Sequence, residues 1–278
     1  MAPDDARWPG IQNLIFDIGM NACEDTDFYL KKGFRVVAVE ANPATCGAAA
    51  EKYRDAIAAG RLTIVNRAIS SGCAPVILYV CRSNSAWTTA SPRLRDFWHA
   101  RGAEFQEIEV PGMLARELIA RHGTPYYAKI DIEGSDMLCL DAFAESASKP
   151  CYLSIEVDFY RYRELIARLR ELGYQRFELI GQLGVVEQRP PFPAREGCYI
   201  GYRFDIGSSG LFGRELPDPW CDETMIRRRC QRVIRQYRLA SVLTRVSELG
   251  VRLHRMQRAR EKFLPLAGDW YDLHAALE

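Results

Sequence analysis

The chain has 278 residues, of which 48% are hydrophobic and 26% charged, and its formal net charge is +1. This composition is typical of a globular protein and excludes disordered, collagen-like and coiled-coil chains. The near-zero net charge gives no reason to expect a nucleic acid or an anionic membrane as a partner.

Cysteine usage and hydropathy indicate the compartment. The nine cysteines are odd in number and form no C-x-x-C pair, so we expect reduced thiols in a cytoplasmic protein. The first eight residues include two acids and lack the apolar stretch of a secretory signal. No segment approaches the roughly 20 consecutive apolar residues of a membrane span.

Short apolar runs alternate with amphipathic segments along the first 160 residues and beyond. Strands are predicted at 14–16, 35–40, 62–69, 76–80, 126–132, 152–157, 176–180 and 199–204, and the one at 76–80 suggests an added edge hairpin. Helices are predicted at 25–32, 44–59, 112–122 and 160–172. Such alternation predicts an α/β fold with a mostly parallel, Rossmann-like sheet and helices on both of its faces.

The composition changes near Gly207, and we place a domain boundary there. Residues 1–206 would form the Rossmann-like domain, and residues 207–278 an Arg-rich helical extension. One or two helices are predicted at 225–262. Their apolar face follows helical spacing and consists of Ile226, Cys230, Val233, Ile234 and Tyr237. This face predicts packing within the chain or a homodimer through the C-terminal helices, and the arginines are interpreted as a solvated face.

The strongest local signal is the turn after the first strand. Asp17 and Gly19 lie in this turn, and Glu40 ends the next strand 23 residues after Asp17. An acid at about that distance suits hydrogen bonding to ribose hydroxyls. The chain has neither G-x-G-x-x-G nor GxxxxGK[ST], so it offers no cradle for phosphates. A cationic adenosine ligand, S-adenosylmethionine, fits this pattern because its positive charge would favour Asp17.

Four segments together resemble the FkbM family of S-adenosylmethionine-dependent methyltransferases. They are Asp17-Ile-Gly-Met-Asn21, Glu40-Ala-Asn42-Pro43, Asn66-Arg-Ala68-Ile-Ser70 and Lys129-Ile-Asp131-Ile-Glu133-Gly134. The resemblance covers roughly residues 14–157, and the joint spacing is more specific than any single motif. The tail at 270–274 also resembles the end of some family members.

The resemblance implies a class I methyltransferase sheet and a set of cofactor contacts. Asp17, Gly19 and Asn21 would lie beside the methionine part, Glu40 on the ribose, and residues 66–68 near the adenine. The full set of expected cofactor contacts is Asp17, Gly19, Asn21, Asp25, Thr26, Glu40, Ala41, Asn42, Asn66, Ala68 and Asp131. The family pattern usually reads D-x-G-x-N-x-G, and this chain has Cys23 at the last place. A side chain there would crowd the contact between helix and strand, or else the turn is wider.

A second group of charged residues follows the strand at 126–132. Lys129 and Asp131 share one face of that strand, Glu133 follows its end, and Glu156 occupies the equivalent place on the next strand. Such strand ends face the ligand crevice, so these four residues are the catalytic candidates, with Asp131 first and Glu156 second. A structural ion pair between Lys129 and Asp131 is the alternative.

The segment 82–89 is polar around one large aromatic residue. Ser85 and Trp87 could therefore bind the methyl acceptor, or the segment could equally be a solvated connection. The four histidines have no metal-ligand spacing, and although three of the acids named above could hold a hard divalent ion, nothing in their spacing requires a metal.

The sequence as a whole predicts O-methylation of a hydroxyl on a small molecule, a secondary metabolite or a sugar, with S-adenosylmethionine as cofactor. Two alternatives stay open. One is N-methylation, and the other is a non-catalytic protein that binds an adenosyl ligand and uses its Arg-rich helices as a scaffold.

Overall fold

The computed structural model describes residues 11–132, 134–217, 219–248 and 270–277. The strands are β1 Ile11–Ile18, β2 Arg35–Glu40, β3 Leu62–Asn66, β4 Ala68–Ile69, β5 Val76–Cys81, β6 Phe105–Val110, β7 Gly112–Met113, β8 Pro125–Ile130, β9 Tyr152–Glu156, β10 Arg176–Gly181 and β11 Tyr271–Ala276. The α-helices are α1 Glu24–Lys31, α2 Pro43–Lys52, α3 Arg54–Ala58, α4 Pro92–His99, α5 Ala115–His122, α6 Asp136–Glu145, α7 Tyr162–Glu171 and α8 Glu223–Glu248. Short 3₁₀ helices span Ser85–Trp87, Gln182–Glu187 and Gly213–Glu215.

Seven of the described strands form one sheet in the order β10-β11-β9-β8-β1-β2-β3. Every neighbouring pair in this sheet is parallel except the two pairs that contain β11. The chain builds outward from β1 to β3 and then returns to place β8 on the other side of β1. This reversal creates a crevice outside the carboxyl ends of β1 and β8, which is where open α/β sheets bind ligands. The predicted α/β fold is confirmed.

Apolar side chains cover both faces of the sheet, as expected for buried parallel strands. One core contains Phe16, Ile130 and Leu273 together with residues of α5, α6, α7 and α8. The other contains Ile15, Tyr127 and residues of α1, along with aromatic side chains from the segment after β10. The sheet is therefore buried on both faces.

Two small sheets lie beside the main one. β5 and β6 form an antiparallel pair, and β4 and β7 form a short parallel pair. The predicted strand at 62–69 is thus divided, because β3 stays in the main sheet while β4 turns to pair with β7. The helix predicted at 112–122 begins only at Ala115, because Gly112 and Met113 form strand β7 and pair with β4.

Two further predictions need correction. The helix predicted at 44–59 is interrupted at Tyr53, whose φ of −109° and ψ of 27° leave the helical region. The strand predicted at 199–204 does not form. The aromatic residues that suggested it pack instead: the rings of Tyr202 and Phe204 both contact Phe28 of α1, with centroids 5.0 and 4.7 Å away.

The C-terminal region contributes to the main sheet as well as a helix. No strand is predicted for the tail, but Tyr271–Ala276 inserts as β11 between β9 and β10. All six residues of β11 are buried, as expected for an interior strand that is covered on both faces, and its apolar residues Tyr271, Leu273 and Ala275 alternate with Asp272 and His274. The boundary between 206 and 207 stays a prediction, and the segment beyond it returns to the sheet of the first part.

Helix α8 packs on this sheet through its predicted apolar face. Ile226 and Cys230 have no exposed surface and belong to the core cluster formed with the sheet, and Val233 is also buried. The ring of Tyr237 contacts the rings of Phe159 and Tyr271. The face is therefore used within the chain, and a homodimer through it has no support here. The part of the predicted helix after Glu248, as far as residue 262, lies outside the described residues. Among the described helices, none combines the length and apolar character needed to cross a membrane.

Replacing Val233 with Asp tests this packing. Because the substitution buries an unpaired charge, we expect the free energy of unfolding to fall by about 2–3 kcal/mol. Chemical denaturation measures the change. Arg232→Glu is the matched control, since Arg232 is exposed on the same turn of α8 and its replacement should change stability little. If Val233→Asp kept its stability but changed the oligomeric state of the protein in solution, the result would favour the dimer instead.

Candidate functional site

The turn after β1 is wedged between the ends of β2 and β8. The backbone N–H groups of Gly19 and Met20 donate to the carbonyl of Val39, and the N–H of Asp131 donates to the carbonyl of Ile18 at 2.8 Å. Gly19 has φ of 90°, and a Cβ at this position would collide with the main-chain oxygen of Asp131. A glycine is required here both by the left-handed backbone and by the close approach of the two strands.

Two residues other than glycine also adopt a positive φ in this turn. They are Asn21 at 44° and Cys23 at 70°. Cys23 occupies the place that is usually glycine, and its left-handed conformation accounts for that preference. Its side chain is buried in the core beside α1, so the contact between helix and strand is kept. Burial raises the pKa of the Cys23 thiol to about 12.

A buried lysine at the end of β8 contacts several carboxylates. The Nζ atom of Lys129 lies 3.5 Å from an oxygen of Asp17, 3.7 Å from one of Asp25 and 3.5 Å from one of Asp131. It also donates to the carbonyl of Gly19 at 2.9 Å. We call Lys129 and the carboxyl groups of Asp17, Asp25, Asp131 and Asp272 the carboxyl cluster; Asp272 interacts electrostatically with the lysine and with Asp131. The predicted ion pair of Lys129 with Asp131 is present, within this larger group.

Negative charge is in excess in the carboxyl cluster. Burial opposes the charge on Lys129, but the four carboxyl groups of the cluster outweigh this and hold its pKa well above the usual range. Burial raises the pKa of Asp17, and it raises the pKa values of Asp25 and Asp272 to about 7 although Lys129 lowers both. One ammonium therefore does not compensate all of the surrounding acids.

Residues of α1 and of the segment before Phe212 donate hydrogen bonds to Asp17 and Asp25. The hydroxyl of Thr26 donates to Asp17, and the N–H of Ser209 donates to both oxygens of Asp25, at 2.9 and 3.0 Å. The hydroxyl of Ser209 also bonds to Asp272. Asp17, Asp25 and Thr26 have almost no exposed surface, so they support the crevice rather than line it.

The end of β2 presents Glu40 at the opening of the crevice. One carboxylate oxygen of Glu40 accepts from the N–H of Asn21 at 3.1 Å, and the other accepts from the N–H of Asn42 at 2.7 Å. Burial raises the pKa of Glu40, and these two hydrogen bonds partly oppose the rise. The amide of Asn66 donates to the carbonyls of Glu40 and Ala41, which fixes the backbone after β2.

The expected cofactor contacts therefore fall into two groups. Those with partly exposed surface around the crevice are Gly19, Asn21, Glu40, Ala41, Asn42, Asn66 and Asp131, and those that are buried are Asp17, Asp25, Thr26 and Ala68. Ala68 lies in β4, outside the main sheet, where its N–H bonds to Pro111.

The turn after β8 leads from the carboxyl cluster to α6. Both oxygens of Asp136 accept backbone N–H groups of this turn, from Ile132 at 3.0 Å and from Gly134 at 3.1 Å. Helix α4 lies against the turn, since a Cβ on Gly134 would be 3.8 Å from Leu94. Glu133, one of the catalytic candidates, lies outside the described residues.

The residues predicted to bind the acceptor are located beside α4. Ser85 is exposed, and the indole of Trp87 stacks on that of Trp98 with centroids 4.4 Å apart and planes 7° from parallel. Trp98 belongs to α4, the helix whose Leu94 lies 3.8 Å from the position that a Cβ on Gly134 would take. Trp87 is thus engaged in a structural contact on one face.

Glu156 and Asp272 lie opposite each other on β9 and β11. Glu156 is one of the predicted catalytic candidates. Asp272 is a further charged residue at the edge of the crevice, and it was not among the predicted site residues. The alternation of Tyr271, Leu273 and Ala275 was the available signal for a strand, but not for its position. Among the residues that the structure describes, no group of three or more His, Cys, Asp or Glu side chains is arranged to hold a metal ion.

Comparison with known proteins identifies the family. Residues 17–176, more than half of the chain, match the family described as the methyltransferase FkbM domain. This chain belongs to the FkbM methyltransferase family. The activity class that this membership assigns is methyl transfer. No curated protein matches the chain. A similar solved structure is that of precorrin-6y C5,15-methyltransferase from Geobacter metallireducens GS-15, with 14% identity and a TM-score of 0.36 over 61% of this chain and 67% of that one.

Replacing Gly19 with Ala tests the geometry of the turn in this FkbM family member. The added methyl group would meet the backbone of β8 and force the turn open, so we expect a loss of stability of several kcal/mol, on the order of 3. Thermal unfolding measures the loss. Gly47→Ala is the control, because Gly47 lies in α2 with open space around its Cβ and should gain about 0.5–1 kcal/mol. Equal stability of the two variants would contradict the assigned turn.

Proposed function

We propose that the protein is an S-adenosylmethionine-dependent O-methyltransferase that acts on a hydroxyl group of a small molecule, a secondary metabolite or a sugar. The observation that carries the proposal is the carboxyl cluster at the switch point of the sheet. An excess of buried carboxyl groups around one lysine favours a cationic ligand, and the sulfonium of S-adenosylmethionine is a cation. Membership of the FkbM family supports the same reaction class.

Glu40 is the residue that we assign to the ribose. Each oxygen of its carboxylate accepts one backbone N–H, and a carboxylate oxygen has further lone pairs that can accept. Two hydroxyl groups of a ribose could donate to those positions without displacing the existing bonds. Asn21 and Asn42 would then hold Glu40 in the orientation that receives the sugar.

Asp17 contributes through charge rather than through contact. It has no exposed surface and is bonded to Thr26 and ion-paired with Lys129. We therefore propose that Asp17, Asp25 and Lys129 position the turn and set the negative potential of the crevice. Lys129, predicted among the catalytic residues, is a positioning residue in this proposal because its ammonium is engaged by three carboxylates and a carbonyl.

Asp131 and Glu156 are the proposed contacts to the acceptor hydroxyl. The side chain of Asp131 is 40% exposed, and Glu156 is half-buried, so both reach the opening of the crevice. S-adenosylmethionine supplies the methyl group, and transfer breaks its carbon–sulfur bond as the acceptor oxygen forms the new carbon–oxygen bond. A carboxylate of the protein orients the hydroxyl and receives its proton. Glu133, Ser85 and Trp87 remain predicted contributors on the acceptor side.

Replacing Glu40 with Ala tests the cofactor assignment. Loss of a charge-assisted hydrogen bond costs about 1.5–3 kcal/mol, so we expect the affinity for S-adenosylmethionine to fall about tenfold or more. Titration calorimetry measures the affinity, and thermal unfolding checks the fold. Glu51→Ala is the control because Glu51 is an exposed acid on α2. Unchanged affinity in Glu40→Ala would contradict the assignment of Glu40 to the ribose. A wild-type protein that bound NADH but not S-adenosylmethionine would contradict the proposed function as a whole.

Replacing Asp131 with Asn and Glu156 with Gln tests the chemistry. A general base contributes about 10²–10⁴ in rate, so the variant that removes it should lose single-turnover methyl transfer on that scale while still binding the cofactor. The measurement uses S-adenosylmethionine labelled in its methyl group and an acceptor found by screening hydroxyl-bearing small molecules. Wild-type rates in both variants would mean that neither carboxylate is a base. Transfer to an amine would favour N-methylation, and binding without turnover across the panel would favour the scaffold alternative.

A further inference from the structure

Asp272 reaches the crevice from an element that lies outside the family match. Strand β11 runs antiparallel to its neighbours, so its first residues lie at the edge where the parallel strands end. In register, Asp272 faces Glu156 of β9 on one side and Ile180 of β10 on the other. Its side chain is buried, with 6% of the residue surface exposed. The chain therefore places one more acid, a buried one, at the edge of the sheet where the parallel strands end.

The groups around Asp272 do not neutralise it. From β8 and the residue after it come Lys129 and Asp131, and from α1 comes Asp25, all close enough to interact electrostatically. The hydroxyl of Ser209 donates a hydrogen bond, and the hydroxyl of Tyr127 is near enough for Asp272 to raise its pKa. The single cation among these groups already contacts Asp17, Asp25 and Asp131.

Asp25 and Asp272 differ in how their charged forms are supported. Asp25 accepts a backbone N–H on both oxygens and lies 3.7 Å from the ammonium of Lys129. Asp272 has the hydroxyl of Ser209, a weaker support for a negative charge than a contact with an ammonium. A further sign of missing positive charge is the buried Oδ1 atom of Asp17, which has the lysine 3.5 Å away but no hydrogen bond. Among the described residues, Asp272 is the acid of the carboxyl cluster with no ion-pair contact within 4 Å, since the ammonium of Lys129 reaches only the other three.

We propose that Asp272 is a specificity residue whose carboxylate favours a sulfonium cation over the neutral thioether that remains after methyl transfer. The inference rests on the proposed function and adds to it a reason for product release. Methyl transfer removes the positive charge from the cofactor and moves the acceptor's proton to a carboxylate of the protein. Once that proton has left for solvent, the carboxyl cluster holds one uncompensated charge more than in the complex with S-adenosylmethionine. The product S-adenosylhomocysteine is disfavoured by this excess, whereas the substrate cofactor relieves it.

The inference has a definite dependence on pH. Burial raises the pKa of Asp272 to about 7, so this group carries a proton in the free protein below pH 7. A bound sulfonium lowers that pKa, so its binding must expel the proton at acid pH. A neutral thioether leaves the proton in place. The preference for S-adenosylmethionine over S-adenosylhomocysteine should therefore rise with pH by up to about tenfold per unit below pH 7 and level off above it.

The test is calorimetric titration of both ligands into the full chain from pH 5.5 to 8.5, in buffers of different ionisation enthalpy. Wild type should release protons on binding S-adenosylmethionine near pH 6.5, and release fewer on binding S-adenosylhomocysteine. In Asp272→Asn, which keeps the shape and the acceptor for Ser209, the preference should depend on pH less steeply than in wild type, and the remaining dependence belongs to Asp25, whose pKa burial also raises to about 7. Asp272→Glu should restore the pH dependence in part.

Asp141→Asn is the matched control, because Asp141 is an exposed acid on α6 that pairs with Arg168, and it should behave as wild type. A pH-dependent preference that survives in Asp272→Asn but vanishes in Asp25→Asn would overturn the inference by assigning the proton to Asp25. If Asp272→Asn fails to fold, the wild-type titrations still decide, since a preference that does not change with pH would overturn the inference. Wild type that binds neither ligand would instead refute the proposed function.

Discussion

The burial of Lys129 among acids is the interaction on which the rest of the candidate site depends. An ammonium with 5% of its side chain exposed needs partners, and its carboxylates come from β1, from α1 and from the residue after β8. If Lys129 were removed, these acids would face one another at low dielectric, where like charges repel strongly. The lysine therefore fixes the turn after β1 against the end of β8, and this contact defines the crevice.

Hydrogen bonds of Ser209 join parts of the site that are far apart in the sequence. The segment that carries Ser209 bonds to Asp25 through its backbone and to Asp272 through its hydroxyl. It thereby ties α1 to β11 across the end of the sheet. Each of these bonds offsets part of the cost of burying a carboxyl group, so the polar centre and the surrounding fold stabilise each other.

Local patterns were sufficient for strands β1 and β2 and for helix α1, but they did not predict helix α4 or the division of the strand at 62–69. The strand at Arg35–Glu40 was predicted with its observed bounds because an apolar run ends there in an acid. The region at 199–204 misled because Ile200, Tyr202 and Phe204 alternate as in a strand, yet the rings of Tyr202 and Phe204 pack against Phe28 of α1 without forming one. Sequence patterns report whether a side chain is buried, and they do not report which neighbour buries it.

The place of Asp272 could not be derived locally, since it depends on a pairing between residues more than ninety positions apart. The alternation of apolar residues around it indicates a strand, but only the insertion between β9 and β10 brings that acid to the crevice. Pairing over such a distance has a high entropic cost of loop closure, which the burial of Leu273 and Ala275 must repay. The apolar face of β11 thus provides the energy that holds an acid where it is unfavourable. Strand β11 therefore serves both purposes: its apolar side chains complete the core, and its Asp272 adds a charge to the candidate site.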